Sequence, residues 1–150
     1  MRSIILLIFI IAELASVNAQ QVNKDKVPTP AQTELKRMFG NVEKVKWVMK
    51  NKHDFQANFK VNNYKRAMLF DENGNWLETA SEVKSTQLPE EVNQAYVSRF
   101  KDYQIKEVMK VEKSEGVFYD FVMLNNKETW TTIIAYYGEI MEIKLKSKKK

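Results

Sequence analysis

Residues able to act as acid–base catalysts or as soft metal ligands are scarce in this chain of 150 residues. His53 is the only histidine, and cysteine is absent. Hydrolytic triads usually depend on a histidine base, and zinc sites need several histidine or cysteine ligands. His53 lies in the polar stretch 50–54, which is typical of a solvated hairpin turn. We therefore expect no catalytic residues, no metal centre and no cofactor.

One acidic segment, Asp71-Glu72-Asn73-Gly74-Asn75, invites comparison with a calcium-binding loop. An EF-hand loop places oxygen ligands at positions one, three and five, glycine at six and glutamate at twelve. Glu82 fits position twelve, but Gly74 falls at position four. A hairpin turn at Asn73-Gly74 explains these residues with fewer assumptions.

Two other catalytic patterns have structural explanations in this chain. Glu90 and Glu91 form a carboxylate pair, but they are adjacent at a predicted helix start, where the helix dipole favours acidic side chains. The glycines are widely spaced and form no phosphate-binding loop. The sequence therefore predicts a protein that is not an enzyme.

Residues 1–19 have the layout of a secretory signal peptide. Arg2 precedes the apolar run 4–12, and Val17-Asn18-Ala19 supplies small residues near a cleavage position. Glu13 ends the apolar run well short of the ~20 residues that a membrane-spanning helix needs. We expect cleavage after Ala19, a periplasmic or secreted product, and no transmembrane segment in the mature chain.

The charge balance is basic, with 24 lysines and arginines against 19 aspartates and glutamates. Much of the excess lies at the C-terminus, in a candidate anion-binding tail made of Lys144, Lys146, Lys148, Lys149 and Lys150. Such a run can attract anionic lipids or polymers, although it is more often a solvated chain end. We expect a basic tail at 147–150, and an exported protein is not expected to meet nucleic acid.

The expected mature chain repeats one pattern twice. After a flexible lead-in at 20–27, Pro28 opens a helix that ends near Phe39, and Pro89 opens another that ends near Phe100. Period-two alternation of apolar and polar residues follows each helix and predicts strands. These strands are expected near 44–50, 55–61, 65–70 and 75–79, and, after a linker at 80–87, near 105–111, 117–124, 129–136 and 139–145.

The repeats span 28–80 and 88–146, and together they predict a single α+β domain. Each repeat contributes one helix and four antiparallel strands. We expect one eight-stranded antiparallel sheet with both helices on its apolar face.

Several motifs in the two repeats are structural, namely Val27-Pro28 and Leu88-Pro89, Phe39 and Phe100, Val45-Lys46-Trp47, Phe55 to Phe59, and the segment 69–76. Together they resemble the PepSY-like proteins of the beta-lactamase-inhibitor-like fold, over essentially the whole expected mature chain. The resemblance implies a small, non-enzymatic periplasmic protein of Gram-negative bacteria. The wider family includes members that inhibit enzymes by presenting a sheet face, so it also implies a protein partner.

The sheet face opposite the helices is the candidate binding face. In the first repeat this face is expected to be polar and solvent-exposed, with Lys46 and Lys60 at its rim. In the second repeat it carries an apolar and aromatic patch, which is typical of a binding surface. The candidate residues of this patch are Phe118, Asp120, Val122, Trp130 and Thr132. A shift of one residue in strand register would instead turn these side chains into the core.

The sequence thus predicts a non-catalytic exported binding domain that inhibits or modulates an envelope enzyme. Two alternatives stay open. One is a binder of small ligands or envelope anions through the basic tail. The other is a structural envelope protein that self-associates, for example as a homodimer.

The signal-peptide prediction can be checked on the secreted protein. We expect the mature protein to begin at Gln20, because signal peptidase reads the small residues that end at Ala19. Mass spectrometry of the intact exported protein measures this directly. A mature form that retains residues 1–19 would contradict the prediction.

Overall fold

Nine antiparallel strands form one sheet in the computed structural model, which describes residues 20–148. Each strand pairs with the next one along the chain, so the sheet order follows the sequence. The strands are β1 (Gln20–Gln21), β2 (Lys46–Lys50), β3 (Asp54–Val61), β4 (Tyr64–Phe70), β5 (Trp76–Glu82), β6 (Gln104–Lys113), β7 (Gly116–Asn125), β8 (Glu128–Ala135) and β9 (Ile140–Lys148). The helices are α1 (Thr29–Phe39) and α2 (Glu90–Phe100).

Some predicted features lie outside this range, namely the signal peptide at 1–19 and the tail residues Lys149 and Lys150. Within residues 20–148, no helix has both the length and the apolar character needed to cross a bilayer. The α+β class and the antiparallel sheet are confirmed, while the internal duplication stays a prediction.

The ninth strand comes from the segment that was expected to be a flexible lead-in. Gln20 and Gln21 pair with Met49 and Val48 of β2, which adds β1 to the edge of the sheet. A 3₁₀ turn at Lys24–Lys26 follows, and Val27 is buried in the core beneath α1. The prediction of an unstructured segment was wrong because backbone pairing to an open sheet edge needs no apolar side chains.

Hairpin turns set the register of the sheet. Asn62 and Asn63 both adopt positive φ, of 51° and 67°, as the tight turn between β3 and β4 requires. Alternation along β3 then sends Phe55, Ala57 and Phe59 to the face that packs on α1. The sequence predicted this face correctly because the period-two pattern is unbroken there.

Each helix covers its own apolar cluster on the same face of the sheet. The first cluster joins Ala31 and Leu35 of α1 to strand residues that include Trp47 and Phe70. The second joins Val92, Tyr96 and Phe100 of α2 to Val108, Phe121, Met123 and Ile134. The ring of Tyr96 stacks on Phe121 with centroids 5.0 Å apart, and its hydroxyl donates a hydrogen bond to the Tyr103 carbonyl.

The strands β5 and β6 join the two helix-covered halves into one sheet. Ala80 lies opposite Val111 and Glu78 opposite Lys113 across this junction. The strand β5 runs to Glu82, so the predicted linker at 80–87 is shorter than expected. The prediction was wrong here because small and polar residues, Ala80-Ser81-Glu82, carry little strand preference of their own and are held by their neighbours.

Each helix start rests on a glycine in a hairpin turn. Gly74 precedes β5, and a Cβ atom placed there would lie 2.8 Å from the Ala31 backbone nitrogen of α1. Gly138 precedes β9, and a Cβ there would lie 2.9 Å from the Glu91 carbonyl oxygen of α2. Both glycines have positive φ, so these positions need glycine for both backbone and space.

We expect Gly74→Ala and Gly138→Ala each to lower the free energy of unfolding by about 2–4 kcal/mol, as backbone strain and overpacking combine. Urea denaturation measures the change. The control is Gly40→Ala, because Gly40 also has positive φ but a Cβ there meets no atom within 4 Å. It should cost only the strain of about 1–2 kcal/mol. Equal losses at all three sites would contradict the close helix contact.

Candidate functional site

The sheet face turned away from α1 and α2 carries the candidate site, and we call it the open face. The strand register places the residues of this face in rows that run across neighbouring strands. One row holds Gln56, Leu69, Glu78 and Lys113, and another holds Met109, Asp120, Ile133 and Glu142. Between them runs a row that includes Ala67, Ala80, Val111 and Phe118. Within residues 20–148 both helices pack on the other face.

The centre of the open face is buried although no described helix covers it. Ala67, Leu69, Ala80, Met109 and Val111 form an apolar cluster of their own. A flat sheet would leave these side chains in solvent. Their burial indicates that the sheet curls around this face, and the register shifts in β4, β6 and β8 add the local twist that such curling needs.

Ionisable side chains border this apolar cluster. Glu78 is only 6% exposed, and the Lys113 ammonium lies 3.8 Å from its Oε2 atom. The same ammonium sits 5.2 Å from the centroid of the Phe118 ring, in a cation–π contact. Lys113 therefore lies across the open face between Glu78 and the strand that carries Asp120.

Burial shifts both carboxyl groups toward their neutral forms. It raises the pKa of Asp120 to about 7, against the opposing charge of Lys113 and together with the charges of Glu78 and Glu142. It also raises the pKa of Glu78 to about 7, where Lys113 and Lys50 oppose the shift and Glu115 adds to it. The nearby ammonium groups thus do not offset the desolvation of these two carboxyls.

Three buried side-chain oxygens on or beside this centre lack a hydrogen-bond donor within the described chain: Gln56 Oε1, Glu78 Oε1 and Thr131 Oγ1. The Gln56 amide nitrogen already donates to Asn58 Oδ1, which leaves its carbonyl oxygen as the open end. All three residues lie on the open face. Thr131 does so because it pairs with Val122, which lies on the same face of β7 as Asp120. Buried polar atoms are nearly always paired, so three on one face call for an explanation.

The fold and this face can be set against known proteins. A family model described as "Putative beta-lactamase-inhibitor-like, PepSY-like" matches residues 56–142. This chain belongs to that family. The resemblance seen in the sequence motifs is thereby confirmed, and no curated protein matches the sequence.

Solved structures from Bacteroides are similar in fold. A protein of B. eggerthii described as periplasmic has a TM-score of 0.72 and 18% identity, covering 79% of this chain and 88% of that chain. A DUF2874 family protein of B. uniformis has a TM-score of 0.71 and 17% identity, covering 79% and 89%. A BLIP-like protein of B. fragilis has a TM-score of 0.69 and 20% identity, covering 83% and 89%. At such low identities the likeness establishes only that this chain shares the fold of these structures.

Five of the seven candidate binding-face residues lie on the open face. They are Lys46, Lys60, Phe118, Asp120 and Val122. The structure gathers Phe118 and Asp120 near Lys113, whereas Lys46 and Lys60 are exposed toward the β2 and β3 end. Whether these residues bind a partner stays a prediction.

Trp130 and Thr132 lie on the helix-covered face, which corrects the prediction that they flank Phe118. Trp130 pairs with Met123 and meets the Tyr103 ring edge-on, at 6.2 Å between centroids. Thr132 is buried and pairs with Phe121. The residues of β8 that follow the open-face phase are Thr129, Thr131, Ile133 and Ala135. The prediction was wrong because this mostly apolar strand shows no alternation from which its phase could be read.

Part of the predicted basic tail is an edge strand. Lys144, Lys146 and Lys148 belong to β9. The Lys148 ammonium lies 2.9 Å from Glu128 Oε1, and the Lys144 ammonium lies 2.7 Å from Glu142 Oε1. The basic tail was predicted at 147–150, but Ser147 and Lys148 pair with Thr129 and Glu128 of β8, so the strand runs further than expected.

The sequence patterns did not indicate Glu78, Lys113, Gln56 and Thr131 as site residues. Glu78 falls in the strand predicted at 75–79, and Lys113 lies between the strands predicted at 105–111 and 117–124. Two features of the sequence point to Glu78 and Lys113. The two side chains carry opposite charges, and alternation along β5 places Glu78 on the face opposite to Leu77 and Thr79. These features identify the pair only when β5 is known to lie beside β6, and the sequence alone does not give that pairing.

The other chemical candidates lie away from the open face. His53 is exposed in the turn before β3, with its Nδ1 atom 3.6 Å from Glu72 Oε2. The Asp71 carboxylate accepts hydrogen bonds from the Asn73 and Asn75 backbone and from the Asn75 side chain, and these bonds hold its pKa below the usual range. Among residues 20–148, no three histidine, aspartate or glutamate side chains are grouped as metal ligands.

The buried carboxyls predict an unusual pH dependence of stability. The folded chain holds protons on Glu78 and Asp120 up to about pH 7, whereas the unfolded chain releases them near pH 4. In that window the folded state binds more protons, so the free energy of unfolding falls as pH rises. We expect Asp120→Asn to raise it by on the order of 2 kcal/mol at pH 8 and little at pH 4.

Urea denaturation between pH 4 and pH 8 measures this effect. The control is Glu43→Gln, because Glu43 is exposed. An Asp120→Asn variant that is less stable than the unchanged protein at pH 8 would show that the Asp120 carboxylate is stabilised in the fold.

Proposed function

We propose that this protein is a non-catalytic periplasmic binding protein that captures a protein of the cell envelope on its open face. By covering the surface of its partner, it inhibits or modulates an envelope enzyme. The observation that supports this proposal most directly is that the aromatic side chain of Phe118 is half-buried on a sheet face that no described helix covers.

The extent of the face fits a macromolecule better than a small ligand. The unpaired oxygens reach from Gln56 in β3 to Thr131 in β8. Neighbouring strands lie about 4.8 Å apart, so five spacings give about 24 Å measured along the curved sheet. A single small molecule does not span that distance, whereas a standard protein interface does.

The composition of the face also fits an interface. Phe118 is half-buried and supplies an aromatic side chain, and the buried residues Met109 and Val111 support it from the neighbouring strand. Lys46, Lys60 and Lys65 are exposed toward one end and supply a charged rim. Apolar centres with polar rims are typical of protein interfaces.

The periplasmic location rests on two supports. The first is the predicted signal peptide at 1–19. The second is the description of the B. eggerthii protein as periplasmic, at 18% identity to this chain. An envelope protein is therefore the partner class that we propose.

Self-association through β9 is the second candidate, and it has one supporting observation. Ile143 and Leu145 are exposed on this edge strand. Lys144, Lys146 and Lys148 alternate with them, and lysines on an edge strand oppose pairing with another chain. Sedimentation equilibrium decides the matter, since self-association gives a dimer whose fraction rises with protein concentration.

We expect Phe118→Ala to abolish capture of the envelope partner, because this side chain lies at the centre of the proposed interface. The measurement is a pull-down from envelope extract with immobilised protein of residues 20–150, followed by an activity assay of the captured enzyme. The matched control is Tyr137→Ala, since Tyr137 is an exposed aromatic residue in the turn before β9.

We therefore expect Phe118→Ala to lose capture of the envelope partner and Tyr137→Ala to retain it. Capture that survives Phe118→Ala, with the fold confirmed by circular dichroism, would contradict the proposed face. A captured enzyme whose activity is unchanged at saturation would contradict inhibition while leaving binding intact.

A further inference from the structure

We propose that Gln20 is a modification site: as the first residue of the mature protein it cyclises to pyroglutamate, which gives the edge strand β1 an uncharged and blocked end. This modification rests on the predicted cleavage after Ala19 and is independent of the proposed function. Three features support it, namely the chemistry of an N-terminal glutamine, the exposure of the Gln20 side chain, and the backbone pairing of β1 with β2.

An N-terminal glutamine carries both reacting groups in one residue. The unprotonated α-amine attacks the side-chain carbonyl carbon Cδ, and a new amide bond forms between them. The bond from Cδ to Nε2 breaks, and Nε2 takes one proton from the attacking amine and leaves as ammonia. An ordinary N-terminal amine has a pKa of about 8, so part of it is unprotonated at neutral pH. The product is a five-membered lactam, and its formation consumes no oxidant, metal or second substrate.

Cleavage is the step that exposes this chemistry. Before cleavage the Gln20 nitrogen belongs to the peptide bond with Ala19, and an amide nitrogen is not a nucleophile. The small residues Val17-Asn18-Ala19 predict that signal peptidase cuts directly before Gln20. The same cut that separates residues 1–19 would therefore leave a free amine on a glutamine.

The Gln20 side chain is placed where it is free to reach its own nitrogen. Gln20 is the first residue of β1 and is exposed. It faces Met49 of β2 across the edge of the sheet. Cyclisation needs only rotation about the side-chain bonds of Gln20, and holding the two reacting groups in one residue makes the step intramolecular.

The lactam also suits the backbone pairing of β1. The Val22 N–H donates to the Trp47 carbonyl oxygen at 3.0 Å. Hydrogen-bonded and non-hydrogen-bonded pairs alternate along antiparallel strands, so the Gln20–Met49 pair is of the hydrogen-bonded kind as well. In pyroglutamate the Gln20 nitrogen is again a neutral amide with one N–H, because Cδ takes the place of the Ala19 carbonyl carbon. The donor to Met49 is thus kept without a charge at the end of the strand.

A blocked end has a clear use at this position. The strand β1 has only two residues, yet it lies at the edge of the sheet and leads to Val22, which packs against the first apolar cluster. Chain ends are where fraying and proteolysis begin. Aminopeptidases need a free α-amine, and pyroglutamate has none. Cyclisation would therefore protect the segment that closes this edge.

Intact mass and N-terminal sequencing test the modification. The full chain of residues 1–150 is expressed in a Gram-negative host, and the exported protein is purified from the periplasm. We expect the mass of residues 20–150 less one ammonia. Edman degradation should give no residue, and after unfolding and treatment with pyroglutamyl aminopeptidase it should begin at Gln21.

The matched control is Gln20→Asn. Asparagine is shorter by one methylene, so its amine could close only a strained four-membered ring, and the variant should keep its full mass and show asparagine in the first Edman cycle. A protein that begins at Gln20 with its full mass and a readable glutamine would overturn the modification while the cleavage prediction stands. A protein that begins at another residue would overturn both, and neither result bears on the proposed function.

The protective role has its own measurement. Both folded proteins are incubated with an aminopeptidase of broad specificity, and their masses are followed over time. We expect the unchanged protein to keep its mass and Gln20→Asn to lose its first residues. Equal resistance of the two proteins would show that strand pairing alone protects β1, and it would overturn the role assigned to the lactam.

Discussion

Pairing of β5 with β6 is the interaction on which both the fold and the candidate site depend. It joins two helix-covered halves that otherwise make contact mainly within themselves. It also brings Ala80 against Val111 and Glu78 against Lys113. The continuous sheet that results buries side chains on a face that no described helix covers, because the sheet itself curls around them. Without this junction there would be no centre to the open face.

The cost of the open face explains why we assign it to binding. Burial of the Glu78 and Asp120 carboxyls opposes folding, and unpaired oxygens nearby add to the cost. A face that served only packing would be filled more favourably by apolar residues, as the helix-covered face is. Strain or unsatisfied groups are tolerated where they serve recognition, and local conflicts of this kind tend to mark functional sites.

Sequence reasoning succeeded where one pattern determined one outcome. Alternation fixed the inward face of β3 through Phe55, Ala57 and Phe59, and the helix starts followed from Pro28 and Pro89. It failed where neighbours decide the outcome. Ala80-Ser81-Glu82 is a strand only because β4 and β6 flank it, and Gln20–Gln21 only because β2 offers an open edge. The phase of β8 was misread because Thr131 to Ala135 offers apolar or small residues to both faces.

The candidate site also contains residues that the sequence could identify and residues that only the strand pairing reveals. Phe118 and Asp120 could be named from the sequence because they interrupt the expected character of their strand. Glu78 and Lys113 could not, since a lone acid and a lone base gain meaning only when a strand pairing places them opposite each other. Once they are adjacent, proximity turns two ordinary surface residue types into a largely buried ion pair. The recognition chemistry that we propose therefore depends on strand pairing, because a change of register between β5 and β6 would separate Glu78 from Lys113.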